Sequence, residues 1–370
     1  MGADVKGPQK LGSEVGAKFL CTLCGGCAGM CPYRVAYRGR IVVMDECNRS
    51  EGRCYAFCPR TSVNLDEVSQ AAFGVPYAAS ELGTVEEITM ARAKDETIRS
   101  RAQHGGTVST LVSFALREGF IDSAVLTTTD RQLQPSGAAV RDEAGVLDCA
   151  GSNFTASPTL QKFNQEAATD AERIGVVATP CQALALANMR VSPLEESNHI
   201  EKLKLVVGLF CNWALWHEGF SRFLQEKVPL GEITKMDAPP PPANALEVFT
   251  GSDRVLVPLD EVRPFINKTC QFCLDLTAEL ADVSVGAAEG VDGWNTLIVR
   301  SDAGKKLVEA AVAGGAIETA PFPKENLEHL KEAALLKKKR ALKNIVEETG
   351  STDDLLYLEP SREALDKLPA

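Results

Sequence analysis

The chain has 370 residues, with 39 Lys or Arg against 50 Asp or Glu, a net charge of −11. At about 100–200 residues per domain, that length suggests two or three domains. A content of 45% hydrophobic and 24% charged residues is globular, which excludes collagen, coiled coil and wholesale disorder. So acidic a chain repels phosphate backbones, so nucleic acid is not an expected partner. No stretch reaches the roughly 20 apolar residues of a membrane span. The N-terminus carries no long apolar run, and the expected location is the cytoplasm.

In chain order, residues 1–18 read as a flexible leader. Residues 19–66 form a small cysteine-rich unit with too few large apolar residues for its own core, so it needs metal to fold. From about residue 85 apolar strands alternate with helices. The spacing predicts a helix over Thr107–Glu118, opened by Gly105-Gly106, and buried strands at Ser123–Thr128 and Ile174–Ala178. A helix at Gln182–Met189, a strand at Leu203–Phe210 and a helix at Trp213–Lys227 follow. Pro239–Pro242 reads as an extended spacer. Leu246–Thr250 and Val255–Leu259 form a hairpin across Gly251-Ser252-Asp253. Short strands at Val283–Val285 and Thr296–Val299 precede helices at Asp302–Ala313 and Asn326–Val346. The last of these carries Lys337-Lys338-Lys339-Arg340, expected on a solvated face. Residues 347–370 read as a tail, and there is no internal repeat. The fold class is α/β (α+β), with a partly parallel, mixed sheet in the larger domain.

Twelve cysteines are the strongest chemical signal. In a reducing compartment they point to metal or redox chemistry rather than disulfides. Cys21, Cys24, Cys27 and Cys31 fit C-x2-C-x2-C-x3-C and precede Pro32, the bacterial ferredoxin spacing for [4Fe–4S] clusters. Two-residue gaps wrap backbone around one cluster, and the fourth cysteine points to another. The second run has only Cys47, Cys54 and Cys58-Pro59, with Glu51 where a cysteine belongs. By the crossing rule one cluster takes Cys21, Cys24, Cys27 and Cys58. The other takes Cys31, Cys47, Cys54 and a missing fourth ligand. Glu51 ligating through oxygen, a [3Fe–4S] cluster, a further ligand and an empty site all stay open. Zinc remains the alternative metal, though it prefers two more widely separated Cys pairs.

Cys181 and Cys211 each follow a predicted strand, and Cys270 and Cys273 form a C-x2-C pair. Taken singly, each reads as a buried free thiol. Together they can meet at one edge of a parallel sheet, where α/β folds place ligands, and four thiolates there complete a cluster site. Cys149 reads as an ordinary thiol.

From about Asp95 to Val346 the chain resembles the family of beta subunits of coenzyme F420-reducing hydrogenase and F420-dependent dehydrogenases. The resemblance rests on GGTVSTLVSFALREGFIDSAVL (105–126), TPCQALAL (179–186), VVGLFC (206–211), CQFCLDLTAELADVSVG (270–286) and DGWNTLIVRSDAG (292–304). The ferredoxin-like unit resembles the extra module of longer members, such as those serving formate dehydrogenases. The family divides the chain into that module (19–66) and an FAD and iron–sulfur domain (67–346).

The resemblance implies non-covalent FAD, two or three iron–sulfur clusters and coenzyme F420 as substrate. It implies cluster ligation by Cys181, Cys211, Cys270 and Cys273. It implies hydride exchange between F420 and flavin N5, with no catalytic side chain, and single electrons relayed through clusters to a partner. Such partners are formate dehydrogenase, hydrogenase or heterodisulfide-reductase-like subunits. Gly105 and Gly106 let backbone approach the FAD phosphates, Thr107 and Ser109 sit on the helix that follows, and its N-terminus favours an anion. Asn153 and Thr155 match one flavin loop, and Asp282, Ser284, Gly286, Gly293, Trp294, Asn295 and Thr296 another; Gln182 is the remaining candidate contact. Departures from the family pattern are Asn153 where Lys is usual, His104, Glu289 and Val291. They motivate an alternative, an F420-independent electron-transfer adaptor using NAD(P)H, ferredoxin or only internal clusters. A flavin reductase acting on an organic substrate ranks last. No G-x-G-x-x-G follows a strand, no P-loop occurs, and the four histidines form no H-E-x-x-H.

Overall fold

A computed structural model describes residues 6–194, 198–239, 243–251, 253–359 and 362–367. The prolines at 240–242 and the hairpin-turn residue Ser252 lie outside the described residues. The cysteine-rich segment carries a hairpin, β1 (Arg34–Tyr37) and β2 (Arg40–Val43), then β3 (Val63–Asn64). The remaining strands are β4 (Glu87–Ala93), β5 (Ser123–Thr129), β6 (Pro135–Val140), β7 (Ile174–Ala178) and β8 (Leu203–Leu209). After them come β9 (Lys235–Asp237), β10 (Ala245–Phe249), β11 (Arg254–Pro258), β12 (Val283–Ala287), β13 (Asn295–Val299), β14 (Ile317–Ala320) and β15 (Leu358–Glu359).

Eight of these form a mixed sheet in the order β14-β4-β13-β12-β8-β7-β5-β6. Its centre, β5, β7, β8 and β12, is parallel, and the remaining pairings are antiparallel. Successive side chains on a strand face opposite sides, so a sheet covered on both faces is apolar at every position. The sequence IGVVA of β7 shows this. Ile174, Val176 and Ala178 join one core with Leu160, Phe163 and Leu186, and Val177 joins the other with Leu111, Phe114 and Leu307. Helices Thr159–Ala167 and Pro180–Val191 cover the first face, and Thr107–Arg117 and Asp302–Ala313 the second. A smaller sheet, β11-β10-β9, packs with helix His217–Gln225 around Phe220, Leu224, Leu246 and Val257.

Four expectations differ from what is observed. The helix expected from Trp213 begins only at His217, because Leu215 is extended and bridges Thr155 and Ile266. Within the segment read as a flexible leader, Pro8–Leu11 and Gly12–Gly16 are helical, and Leu11 and Val15 are buried. Within the segment read as a tail, Leu358–Glu359 pairs in parallel with β3, and Tyr357 is buried. Finally, Lys337 and Lys338 are not solvated: they are 3% and 1% exposed. Helix Lys324–Thr349 turns them inward, where each ammonium finds acceptors. Lys337 Nζ donates to the carbonyls of Cys211 and Asp275, and Lys338 pairs with Glu279.

Candidate functional site

Strands β5, β7, β8 and β12 run the same way, and β4, two antiparallel steps from β12 through β13, shares their direction. Their carboxyl ends therefore form one edge, the usual ligand edge of α/β sheets. At this edge Gly106 caps helix Thr107–Arg117 with φ +70, a left-handed conformation that glycine adopts without strain. Gly105 lies so close to Ala91 and Asn295 that a Cβ would stand 2.7 Å from Asn295 Oδ1. The Thr107 backbone N–H donates to Asn295 Oδ1 at 3.2 Å, and Thr107 Oγ1 donates to Ala91 O at 3.0 Å. Asn295 Nδ2 donates to Gly286 O at 3.1 Å, and Thr296 Oγ1 to Ala287 O at 3.1 Å. The Trp294 ring stacks under the Arg92 guanidinium at 4.4 Å, and Arg92 pairs with Glu318. The structure thus brings Gly105, Gly106, Thr107, Gly286, Trp294, Asn295 and Thr296 together. Ser109 lies buried in the first helical turn. Gly293, two residues before Asn295, is exposed, with φ +74.

Other expected contacts lie elsewhere or serve the fold. Asp282 and Ser284 stand toward the opposite end of β12. Asp282 accepts from Val206 N at 2.7 Å and Ser301 Oγ at 2.6 Å, and Ser284 accepts from the buried Arg300 at 2.8 Å. Gln182 completes a capping box with Thr179, its Oε1 accepting from Thr179 N at 2.8 Å while its Nε2 donates to Ser157 O at 3.0 Å. Asn153 Oδ1 accepts from Thr155 N and Oγ1 at 3.1 and 2.7 Å, an Asx turn beside Leu215 rather than a charge. Glu289 is held by His329 at 2.7 Å.

Eleven of the twelve cysteines gather in three sets, Cys149 standing apart, and none forms a disulfide. In the first, burial raises Cys24 and Cys27 well above the ordinary thiol range and pushes Cys58 up to about 12. Thiolates add to the effect: Cys181, Cys58 and Cys21 at Cys24; Cys21, Cys24 and Cys58 at Cys27; Cys21 at Cys58. Cys21 is raised by desolvation first and Cys181 after it, although the residue keeps exposed surface. In the second set, burial raises Cys54, with Cys31 and Cys47 adding and Arg34 opposing. Glu51, three residues before Cys54, is exposed.

The third set stands at the sheet edge. Cys181 opens the helix after β7, and Cys211 follows β8, its N–H donating to Leu276 O at 2.8 Å. Cys270 and Cys273 belong to the turn at Lys268–Phe272 and its cap, and Ala214 N donates to Cys270 Sγ at 3.4 Å. Burial pushes Cys270 up to about 11, that amide opposes, and Cys181 and Cys273 add to the rise. Burial also raises Cys211, with Lys337 opposing and Cys270, Cys181 and Cys273 adding. Among the described residues no three His, Cys, Asp or Glu side chains close on a single metal ion.

Sequence reasoning missed three buried cations here. Arg60, 4% exposed, donates from Nε to Thr269 Oγ1 at 2.9 Å and stacks on Tyr357 at 4.1 Å. Arg34, 8% exposed, donates to Pro8 O at 3.2 Å. Lys337 is the third. For Arg60 the only available signal was its place directly after Cys58-Pro59.

Comparison with known proteins bears on this site directly. Residues 88–163 and 171–325 match the models for the N-terminal and C-terminal parts of the coenzyme F420 hydrogenase/dehydrogenase beta subunit. The coenzyme F420 hydrogenase subunit beta of Methanothermobacter thermautotrophicus is 34% identical over 71% of this chain and 95% of its own length. The chain belongs to the family of coenzyme F420 hydrogenase/dehydrogenase beta subunits. It is an oxidoreductase component of that class. A component of the F(420)H(2) dehydrogenase of Methanosarcina mazei is 27% identical over 90% of this chain and 93% of its own length. That span is too long to omit the whole cysteine-rich segment. A chain of the F420-reducing [NiFe] hydrogenase complex from Methanosarcina barkeri superposes with a TM-score of 0.68 at 28% identity, covering 74% of this chain and 96% of that one. The mixed α/β architecture is therefore that of the family. Among the described residues no helix is long and apolar enough to cross a membrane.

Proposed function

We propose that this beta subunit exchanges hydride between coenzyme F420 and a bound FAD, and passes single electrons through iron–sulfur clusters to a partner oxidoreductase subunit. The observation that carries this reading is one sheet edge holding both the Gly105–Asn295 cradle and the Cys181, Cys211, Cys270 and Cys273 set. A flavin exchanges hydride on one side and single electrons on the other, and clusters carry one electron each. The residues fit these groups. Eleven cysteines fall into three sets whose buried thiols are costly as free thiolates and become stable when a metal neutralises them. The Gly105-Gly106 turn and the helix N-terminus behind it suit a phosphate. Gly286, Trp294, Asn295 and Thr296 line the same end of the sheet, and Arg92 supplies a positive charge beside Trp294. Glu289 is engaged by His329 Nδ1, a contact that offsets its carboxylate only when the imidazole is protonated.

The reading extends to the cysteine-rich segment as a ferredoxin-like module. Cys21, Cys24, Cys27 and Cys58 would hold one cluster, and Cys31, Cys47 and Cys54 three-quarters of another. Cys181 stands within electrostatic reach of Cys21 and Cys24, which supports a continuous relay. The partner would be a catalytic or electron-transfer subunit of a larger redox complex. A second reading, the F420-independent adaptor, is favoured by Asn153, whose amide is spent on Thr155 and supplies no cation. Anaerobic mixing of FAD-loaded protein with reduced F420 separates the two. Matched loss of the flavin band and gain of oxidised deazaflavin supports the first. A flavin that dithionite bleaches but reduced F420 does not supports the second.

A further inference from the structure

Two buried arginines lie among the three cysteine sets. Arg34 opens β1, is 8% exposed and donates to the carbonyl of Pro8, whose ring lies with Cys54 Sγ against Gly52; its charge eases ionisation of Cys54 in the outer set and of Cys21 and Cys27 in the middle one. Arg60 lies between that middle set and the sheet-edge set, within reach of Cys21 and Cys58 on one side and Cys181, Cys270 and Cys273 on the other. The Arg60 position is fixed by bonds that tie the two sets together. Thr269, the neighbour of Cys270, accepts from Arg60 Nε and donates to the carbonyl of Leu20, the neighbour of Cys21, at 2.7 Å. Arg60 also lines, with Cys181, Cys273 and Tyr357, a cavity of about 40 Å³ between module and domain. Among the described residues neither arginine pairs with a carboxylate. A buried cation without a counter-charge is expensive, so each needs an anion beside it. The Arg60 guanidinium lies over the Tyr357 ring and shares its cavity with Cys181, Cys273, Asp275 and Glu279, of which Glu279 is taken up by Lys338.

Resting on the cluster reading above, we infer that Arg34 and Arg60 are fixed positive charges set alternately between three anionic clusters, and that each raises the reduction potential of the two clusters it separates. They are positioning residues for electron transfer: a positive charge favours the state carrying the extra electron. The test is an anaerobic potentiometric titration followed by EPR, with signals assigned by Cys47→Ser, Cys27→Ser and Cys273→Ser. In Arg60→Gln the reduced-to-oxidised ratio at a fixed potential should fall about tenfold for the middle and sheet-edge clusters, a 59 mV drop for a one-electron couple. The outer cluster should not move. In Arg34→Gln the middle and outer clusters should shift and the sheet-edge cluster should not. Arg60→Lys, which keeps the charge, should retain the wild-type ratios. Unchanged potentials in iron-replete Gln variants, or an equal shift of all three clusters, overturn the inference. If Arg60→Gln loses the flanking clusters while Arg60→Lys keeps them, charge is again what the site needs; loss in both overturns it. Wild-type protein that takes up no iron or sulfide would instead defeat the underlying cluster reading.

Discussion

The α/β domain and the cysteine-rich segment are held together by different forces. In the domain, β7 and β13 are buried at every position, and helices cover the sheet on both faces. Such a core is self-sufficient, since burying each large apolar side chain contributes about 1.5–3 kcal/mol. Residues 19–66 supply few large buried apolar side chains; Leu20, Tyr55, Phe57, Val63 and Leu65 pack in one cluster with the domain's Leu160, Phe163, Leu184 and Met189. Polar ties reinforce that borrowed packing: Asn164 Nδ2 donates to the carbonyls of Gly26 and Ala28 at 3.1 and 2.7 Å, and Asn188 to that of Cys58 at 3.1 Å. The domain would therefore keep its fold without metal, while the segment depends on it.

The largest expected effect breaks that dependence outright. Anaerobic chelation of iron should abolish hydrogen-exchange protection across residues 19–66 while β7 and β12 stay protected. Uniform loss of protection along the chain would contradict the contrast. Next, Cys273→Ser should remove the iron of the sheet-edge set and leave that of the module; iron analysis and EPR read this, and unchanged iron content sinks the ligand assignment. Lys338→Met should cost about 3–5 kcal/mol in denaturant unfolding, because it leaves Glu279 buried beside Tyr77 without its cation. A loss under 1 kcal/mol would contradict the charge pairing of Lys338 with Glu279.

The smallest effect concerns the N-terminal helices. Burial opposes ionisation of Glu14, but the Tyr55 hydroxyl, donating at 2.6 Å, together with Lys6 and Lys10, outweighs it and holds the carboxyl below its ordinary range. A depressed carboxyl contributes stability above its unfolded pKa, and that stability is lost as pH falls through the folded value. Glu14→Gln should thus cost about 1 kcal/mol near neutrality. That difference should vanish in acid, where the wild-type carboxyl is protonated too. A cost independent of pH would assign the effect to packing.

Much of the domain was legible in the sequence because its signals are local. Buried strand runs such as Ile174–Ala178 and the helix Asp302–Ala313 lie where the apolar pattern put them. The Gly105-Gly106 turn does open a helix. Strands β4 and β6 carry mixed sequences, EITMARA and PSGAAV, whose pairing depends on neighbours far along the chain. The buried lysines at 337 and 338 were illegible for a similar reason. A basic run reads as solvated until the acceptors at Cys211, Asp275 and Glu279 arrive from other elements. Asp282, Ser284 and Gln182 matched by position, yet their hydrogen bonds hold the fold together. The same limit hid Arg34 and Arg60, whose significance lies only in which cysteines fold around them.

On the proposed function, reducing equivalents enter at the Gly105–Asn295 edge and leave through the module. Freeze-quench EPR after adding reduced F420 to FAD-loaded, iron-replete protein tests it most directly. Cluster signals should appear as the deazaflavin is oxidised, and the module signals should be lost in Cys273→Ser. Oxidation of the deazaflavin with every cluster still oxidised, or module signals that survive Cys273→Ser at wild-type rate, would contradict it.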